Sequence, residues 1–286
     1  MQPPTNTVPV DAPKAPRRFV FVLLDNFTLL CFAAAVDSLR IANRMAGAEL
    51  YTWQLATEAE DRRVRCSAGA LFETDITLNE LARDDTIVIC GGTDVHLATT
   101  KKLLNWLRRE ARRGLKIAGL CTAAYSMARA GLLDGKKATT HWENHDSFTE
   151  EFDEVELTKS VFVSDGARMT TAGGTSSIDL FLKIIADDHG EKLANAVADQ
   201  LIYSSIRTDQ DTQRLSVPTR IGVRHPKLSQ VIQMMEANIE EPISPSILAK
   251  EVGMSTRQLE RLFRRYLNRS PKRYYMELRL QKARNL

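Results

Sequence analysis

Lys116-Ile117-Ala118-Gly119-Leu120-Cys121-Thr122-Ala123 carries the reading on which the fold depends. Five residues of β type run into a cysteine with small neighbours, and a helical pattern follows as far as Ala130. A tight passage from strand to helix needs those small neighbours. It exposes the central side chain above the sheet and sets it beside a helix N-terminus, where a thiolate is favoured. Similar β-type runs occur at Phe19 to Leu24 and Thr86 to Cys90, with helical patterns at Thr28 to Met45, Lys101 to Arg113, Ser176 to Asp188 and Glu191 to Tyr203. Such alternation predicts an α/β fold: a parallel sheet with helices on both faces.

Length and composition agree with more than one domain. The chain has 286 residues, 43% of them hydrophobic and 26% charged, which excludes a wholly disordered or low-complexity protein. No apolar run approaches the roughly 18 residues of a membrane span. Lys14, Arg17 and Arg18 ahead of Phe19 imitate a signal peptide, but the apolar stretch after them stops at Asp25. Cys31, Cys66, Cys90 and Cys121 lie too far apart for a zinc motif or a disulfide scaffold, so no metal or other cofactor and a reducing, cytoplasmic setting are expected.

Four segments are predicted: a Pro-rich flexible arm over 1–16, the α/β domain over 17–205, a linker over 206–226 rich in Thr, Asp, Gln and Arg, and a small all-α module over 227–286. Charge divides along the same line. From Ile206 onward 16 Lys and Arg face 8 Asp and Glu, whereas the preceding residues hold 23 against 28. An acidic globule therefore carries a basic C-terminal piece, the balance that suits a polyanion.

Within that piece Ser244-Pro245 signals a helix start, with Ile247, Leu248 and Val252 as core and Gly253 as its end. Ser255 caps the next helix, and Gln258 three residues on completes a capping box. On this second helix Leu259, Leu262, Phe263 and Tyr266 share one face, while Arg257, Glu260, Arg261 and Arg264 share the opposite one. Guanidiniums and a carboxylate on one stripe are the groups needed to read a major groove, and a helix, a short Gly turn and a helix are the scaffold for it. A third cap, Ser270-Pro271, opens another basic helix through Lys272, Arg273, Arg279, Lys282 and Arg284.

The stretch from Ile243 to Leu286 resembles the first half of an AraC-type DNA-binding domain, notably in Ser270-Pro271-Lys272-Arg273-Tyr274 and Arg279-Leu280-Gln281-Lys282-Ala283. The resemblance implies base contacts by Arg257, Glu260 and Arg261, and flanking or phosphate contacts by Gln258, Arg264 and Arg265, while Lys272 on the basic third helix is a further expected DNA contact. An AraC-type domain has two helix-turn-helix units joined by a long helix. The sequence stops at Leu286 inside that helix, so a shortened domain is expected.

In the α/β domain, Ile89-Cys90-Gly91-Gly92-Thr93, Thr139-Thr140-His141-Trp142 and Gly173-Gly174-Thr175 are expected to rim one crevice with Cys121 at the carboxyl ends of the strands. These motifs resemble the PfpI/ThiJ-like domain, a flavodoxin-like sandwich in the class I glutamine amidotransferase superfamily. The pairing of the two domains is similar to the GlxA-type transcriptional regulators, some of which respond to amino acids or quaternary amines. Catalytic PfpI-type members place His directly after the elbow cysteine, where this chain has Thr122, and an acid on the first helix, where it has Cys31.

A receptor is therefore expected rather than an enzyme. Thr93, Cys121, Thr122, His141 and Thr175 would offer polar contacts. Trp142 is read either as a stacking face for a cationic head group or as core, and Asp25 and Phe27 either as crevice residues or as its turn. The expected partners are promoter DNA, a small-molecule effector and a second copy of the chain, with RNA polymerase compatible with such a regulator. A cysteine-dependent amidase or peptidase is the alternative, with His141 as a substitute base.

Overall fold

Alternate residues of the first strand face opposite ways, and both ways lead into apolar packing. In β1 (Arg17–Leu23), Phe19, Phe21 and Leu23 join one core, while Val20 and Val22 join another with Leu24 just beyond. A strand covered on both faces reads as an unbroken apolar run, which is why Phe19 to Leu24 shows no polar alternation.

The computed structural model describes residues 7–10, 15–213 and 226–284. After β1 come α1 (Leu29–Ala46), β2 (Tyr51–Thr57), β3 (Arg63–Arg65), β4 (Leu71–Glu73), β5 (Ile76–Thr77) and β6 (Thr86–Cys90). Next are α2 (Val95–Ala98), α3 (Lys101–Arg112), β7 (Lys116–Leu120), a single 3₁₀ turn at Cys121–Ala123 and α4 (Ala124–Arg129). Then follow β8 (Lys137–Ala138), a second 3₁₀ turn at Trp142–Asn144, α5 (His145–Glu151), β9 (Glu156–Leu157), β10 (Phe162–Asp165), β11 (Arg168–Thr171), α6 (Ser176–His189) and α7 (Glu191–Gln200).

Seven strands form one sheet in the order β10-β11-β7-β6-β1-β2-β5. Every neighbouring pair is parallel except β10 with β11. Helices α1, α6 and α7 pack on one face, with Leu39, Phe181 and Val197 in that core. Helices α3 and α4 pack on the other through Leu103, Leu107 and Met127. The expected flavodoxin-like architecture is present, and β6 and β7 have the predicted bounds.

The chain divides into two units, the first ending at Gln213. The predicted boundaries meet it only in part. Residues 1–6 and 11–14 of the expected arm lie outside the described residues, but Val8 is buried and donates its backbone N–H to Met45 O at 2.8 Å. An apolar residue in a Pro-rich stretch still has a core to reach. Of the expected linker, 214–225 lies outside the described residues, and 206–213 belongs to the first unit. There Val161 N–H donates to Asp211 O (2.9 Å), Gln213 N–H donates to Lys159 O (3.0 Å), and Ser160 bridges antiparallel to Thr212.

The second unit has α8 (Pro226–Ala237), α9 (Pro245–Glu251), α10 (Thr256–Leu267) and α11 (Pro271–Arg284). Leu228, Val231, Ile232 and Met235 of α8 form its core with Leu248, Val252, Leu259, Phe263, Tyr274 and Tyr275. Ile247, expected in that core, is 51% exposed, because α9 is short and turns only Leu248 and Ala249 inward.

Candidate functional site

Cys121 stands at the end of β7 with φ +60°, a left-handed conformation that a side chain adopts only at a cost of about 1–3 kcal/mol. Its neighbours hold it there. Cys121 N–H donates to Thr171 Oγ1 at 3.3 Å, and Thr140 Oγ1 donates to Cys121 O at 3.4 Å. Gly173 must be glycine, since a Cβ at that position would stand 2.7 Å from Cys121 Sγ on a backbone already at φ +91°. Gly92 allows a close approach as well, its missing Cβ leaving room for Asn26 O, which would otherwise lie 2.0 Å away.

The thiol is buried and surrounded by donors. Thr28 Oγ1 donates to Cys121 Sγ at 3.8 Å, and Gly174 N–H donates to Cys31 Sγ at 3.0 Å on the adjacent side. Hydrogen bonding from the Cys31 thiol, then from the Thr28 hydroxyl and Thr122 N–H, holds Cys121 below the usual thiol range in spite of its burial. Cys31 is driven up by the same contact with Cys121 and by burial, and Cys90 is driven up by burial. Among the described residues no imidazole or carboxylate hydrogen-bonds Cys121 Sγ. The arrangement can polarise a thiolate but offers it no general base in contact.

The predicted residues gather unevenly around this elbow. Thr122 Oγ1 donates to Gly92 O at 2.7 Å, and Thr122 lines a small cleft with Val95, Tyr125, Thr140, Asn144, Ser147, Phe148 and Glu151. His141 is half-buried, with Nδ1 3.6 Å from Glu143 Oε2 and its ring 5.5 Å from that of Trp142, which is also half-buried. Burial lowers the His141 pKa below its ordinary value, with Glu143 acting against the shift. Thr93 and Asp25 are exposed.

Two predicted residues are placed elsewhere. Phe27 is fully buried, its ring edge-on to Phe32 and Phe72, so its side chain belongs to the core and only its backbone forms the turn, bridging Cys66 and Gly92. Thr175 Oγ1 accepts from Arg207 Nη2 at 2.8 Å and so joins the Arg207–Asp179 cluster. Sequence reasoning missed Tyr125, Asn144 and Glu151, which line the cleft from α4, the second 3₁₀ turn and α5. Those short elements have no apolar period to mark which side chains turn inward. Thr140 stands in plain sight beside His141 in the quoted motif. His145 was also missed, with Nε2 3.2 Å from Thr140 O and 3.1 Å from Gln213 Nε2. Among the described residues no group of three or more His, Cys, Asp or Glu side chains could hold a metal, and no helix is long and apolar enough to cross a membrane.

In the second unit the caps lie where the sequence places them. Ser244 Oγ accepts from Ile247 N–H at 3.4 Å, and Ser270 Oγ accepts from Arg273 N–H at 3.3 Å. The capping box is complete: Gln258 N–H donates to Ser255 Oγ (3.3 Å), and Ser255 N–H donates to Gln258 Oε1 (2.8 Å). Leu259 and Phe263 are buried, whereas Arg257, Gln258, Glu260, Arg261, Arg264, Arg265 and Lys272 are exposed. Arg257, Arg261 and Arg264 have no ion pair among the described residues. Tyr266, expected on the apolar face, is 38% exposed and lies under the Arg265 guanidinium at 5.5 Å.

Comparison with known proteins covers both units. The DJ-1/PfpI family model matches residues 17–187, and a helix-turn-helix domain model matches residues 248–286. The chain is 40% identical over 271 residues to the HTH-type transcriptional regulator GbdR of Pseudomonas aeruginosa, covering 95% of this chain and 74% of that protein. It is 43% identical over 268 residues to the HTH-type transcriptional regulator CdhR of the same species, covering 94% and 79%. The crystal structure of an AraC family transcriptional regulator from Pseudomonas putida superposes with a TM-score of 0.58 at 27% identity, covering 65% of this chain and all of that one.

Proposed function

The chain belongs to the DJ-1/PfpI family and carries a helix-turn-helix domain, and from that premise we propose that it is a cytoplasmic transcriptional regulator whose first unit senses a small nitrogenous metabolite. The observation that carries the DNA-reading half is the exposed Arg257, Arg261 and Arg264 stripe of α10, set opposite the buried Leu259 and Phe263. Arginine pairs bidentately with guanine, and the exposed Lys272 on α11 adds phosphate contact. GbdR and CdhR, named as regulators, support the same reading.

The sensing half is supported by a small cleft that Thr122 and Thr140 line, each next in the chain to Cys121 or His141, and by a thiol that has donors but no base in contact. Cys121, Thr122 and His141 supply polar contacts to the effector, and Trp142 a ring face. Effector binding biases a homodimer between states of unequal promoter affinity, and a coupling of about 1–3 kcal/mol suffices for the switch. A thermal-shift screen of the full chain against amino acids and amines tests this, since a ligand at 100 times its Kd stabilises by about 2.7 kcal/mol. A screen without any shift would refute the sensor.

The lowered pKa and strained backbone of Cys121 favour a second reading, a cysteine-dependent amidase or peptidase. Hydrolysis of small amides that disappears in Cys121→Ser would establish it, and turnover by neither protein removes it.

A further inference from the structure

We propose that Gln258 reads a base edge as a hydrogen-bond donor only, so that it selects guanine and rejects adenine at one operator position. The inference rests on the DNA-reading assignment of α10. A glutamine carboxamide has an acceptor oxygen and a two-proton nitrogen, and a free one recognises adenine by using both at once, accepting from N6 and donating to N7. In this chain the oxygen is turned toward the start of the helix, one of its lone pairs taken by the backbone. Gln258 Oε1 takes the N–H of Ser255 at 2.8 Å, and the reciprocal bond from Gln258 N–H to Ser255 Oγ at 3.3 Å fixes the turn that holds it.

The Nε2 protons are left for an outside partner, and the side chain is exposed in the first turn of α10, one residue after Arg257 and three before Arg261. Recognition helices contact base edges through such N-terminal residues. Guanine presents two adjacent acceptors, N7 and O6, and thymine presents O4. Adenine sets its N7 beside an N6 donor, for which an oxygen held to the Ser255 N–H is unfavourably turned, and cytosine presents a donor alone. The capping box thus fixes the polarity of the reader as well as the start of the helix.

The substitution Gln258→Glu separates these two roles, because a carboxylate at this position still accepts the Ser255 N–H but has no proton to donate. The experiment selects duplexes from a random library with the full chain, comparing the unaltered protein with Gln258→Glu and Gln258→Met, each checked for folding by its thermal midpoint. The expected result is one position, identified by its response to Gln258→Glu, at which guanine exceeds adenine about tenfold in the unaltered protein. That order reverses toward adenine or cytosine in Gln258→Glu, and the preference flattens in Gln258→Met. A motif unchanged in both variants overturns the proposal, as does an even loss of affinity across all sequences in Gln258→Glu, which marks a phosphate contact. If the unaltered protein enriches no sequence, the DNA-reading assignment itself falls and the proposal with it.

Discussion

The Arg207 guanidinium closes on the carboxylate of Asp179, Nη2 to Oδ2 at 2.6 Å and Nε to Oδ2 at 3.0 Å, twenty-eight residues apart in the chain. Asp179 is buried, and Tyr203 Oη and Arg207 N–H also donate to it. Burial pushes Asp179 above the ordinary carboxylate range while the Arg207 contacts pull it down. Arg207→Ala leaves this charge without its cation and is expected to destabilise the first unit by about 3 kcal/mol in urea unfolding at neutral pH. With the counter-charge gone, Asp179 takes up a proton more readily folded than unfolded. The deficit is therefore smaller at pH 5 than at pH 8.

Cys121 differs from its neighbours in chemistry as well as position. Its pKa is lowered, whereas those of Cys31 and Cys90 are raised. Iodoacetamide at neutral pH is expected to modify Cys121 before either of them, with a pH–rate curve that levels off below that of an ordinary thiol. Thr28→Val removes one of the donors and shifts the curve upward. Mass spectrometry of the alkylated peptides measures both effects.

Burial lowers the pKa of His141 and of His145. Each binds its proton more readily in the unfolded chain, so their contribution to stability is complete above the ordinary histidine value of about 6.5 and is lost as pH falls through the lowered folded values. Urea midpoints of the unaltered protein are expected to fall between pH 7 and pH 5, and those of a His141→Asn, His145→Asn double variant to fall less. Histidine proton resonances titrating at or above 6.5 would contradict this.

Arg261 and Lys272 are both exposed cations, on α10 and α11, but they serve different tasks in the proposed complex. Arg261→Ala is expected to cost about 1–3 kcal/mol on the preferred sequence and relax the preference at one position. Lys272→Ala weakens all sequences about equally and lowers the slope of log affinity against log salt by about 1. Titrations at several salt concentrations distinguish the two.

Much of this architecture is legible in the chain. Thr86 to Cys90 and Lys116 to Leu120 announce themselves as strands because both their faces are covered, and α10 does so because Ser255 and Gln258 spell its cap. Helix α8 is an addition of the structure to the reading, which starts the module's helices at Ser244, although Leu228, Val231, Ile232 and Met235 stand at helical spacing. The placement of Phe27 is not legible, since it depends on Phe32 and Phe72 arriving from α1 and β4. Nor is that of Thr175, whose partner Arg207 lies thirty-two residues further on. Contacts of that range follow from the packed fold and leave no local periodicity.

Gln213, the last described residue of the first unit, donates from Nε2 to Thr140 O at 2.9 Å and to Thr139 Oγ1 at 2.9 Å, and Thr140 in turn holds the carbonyl of Cys121. Two successive side-chain bonds through Thr140 thus tie the end of the described first unit to the left-handed turn that carries the thiol.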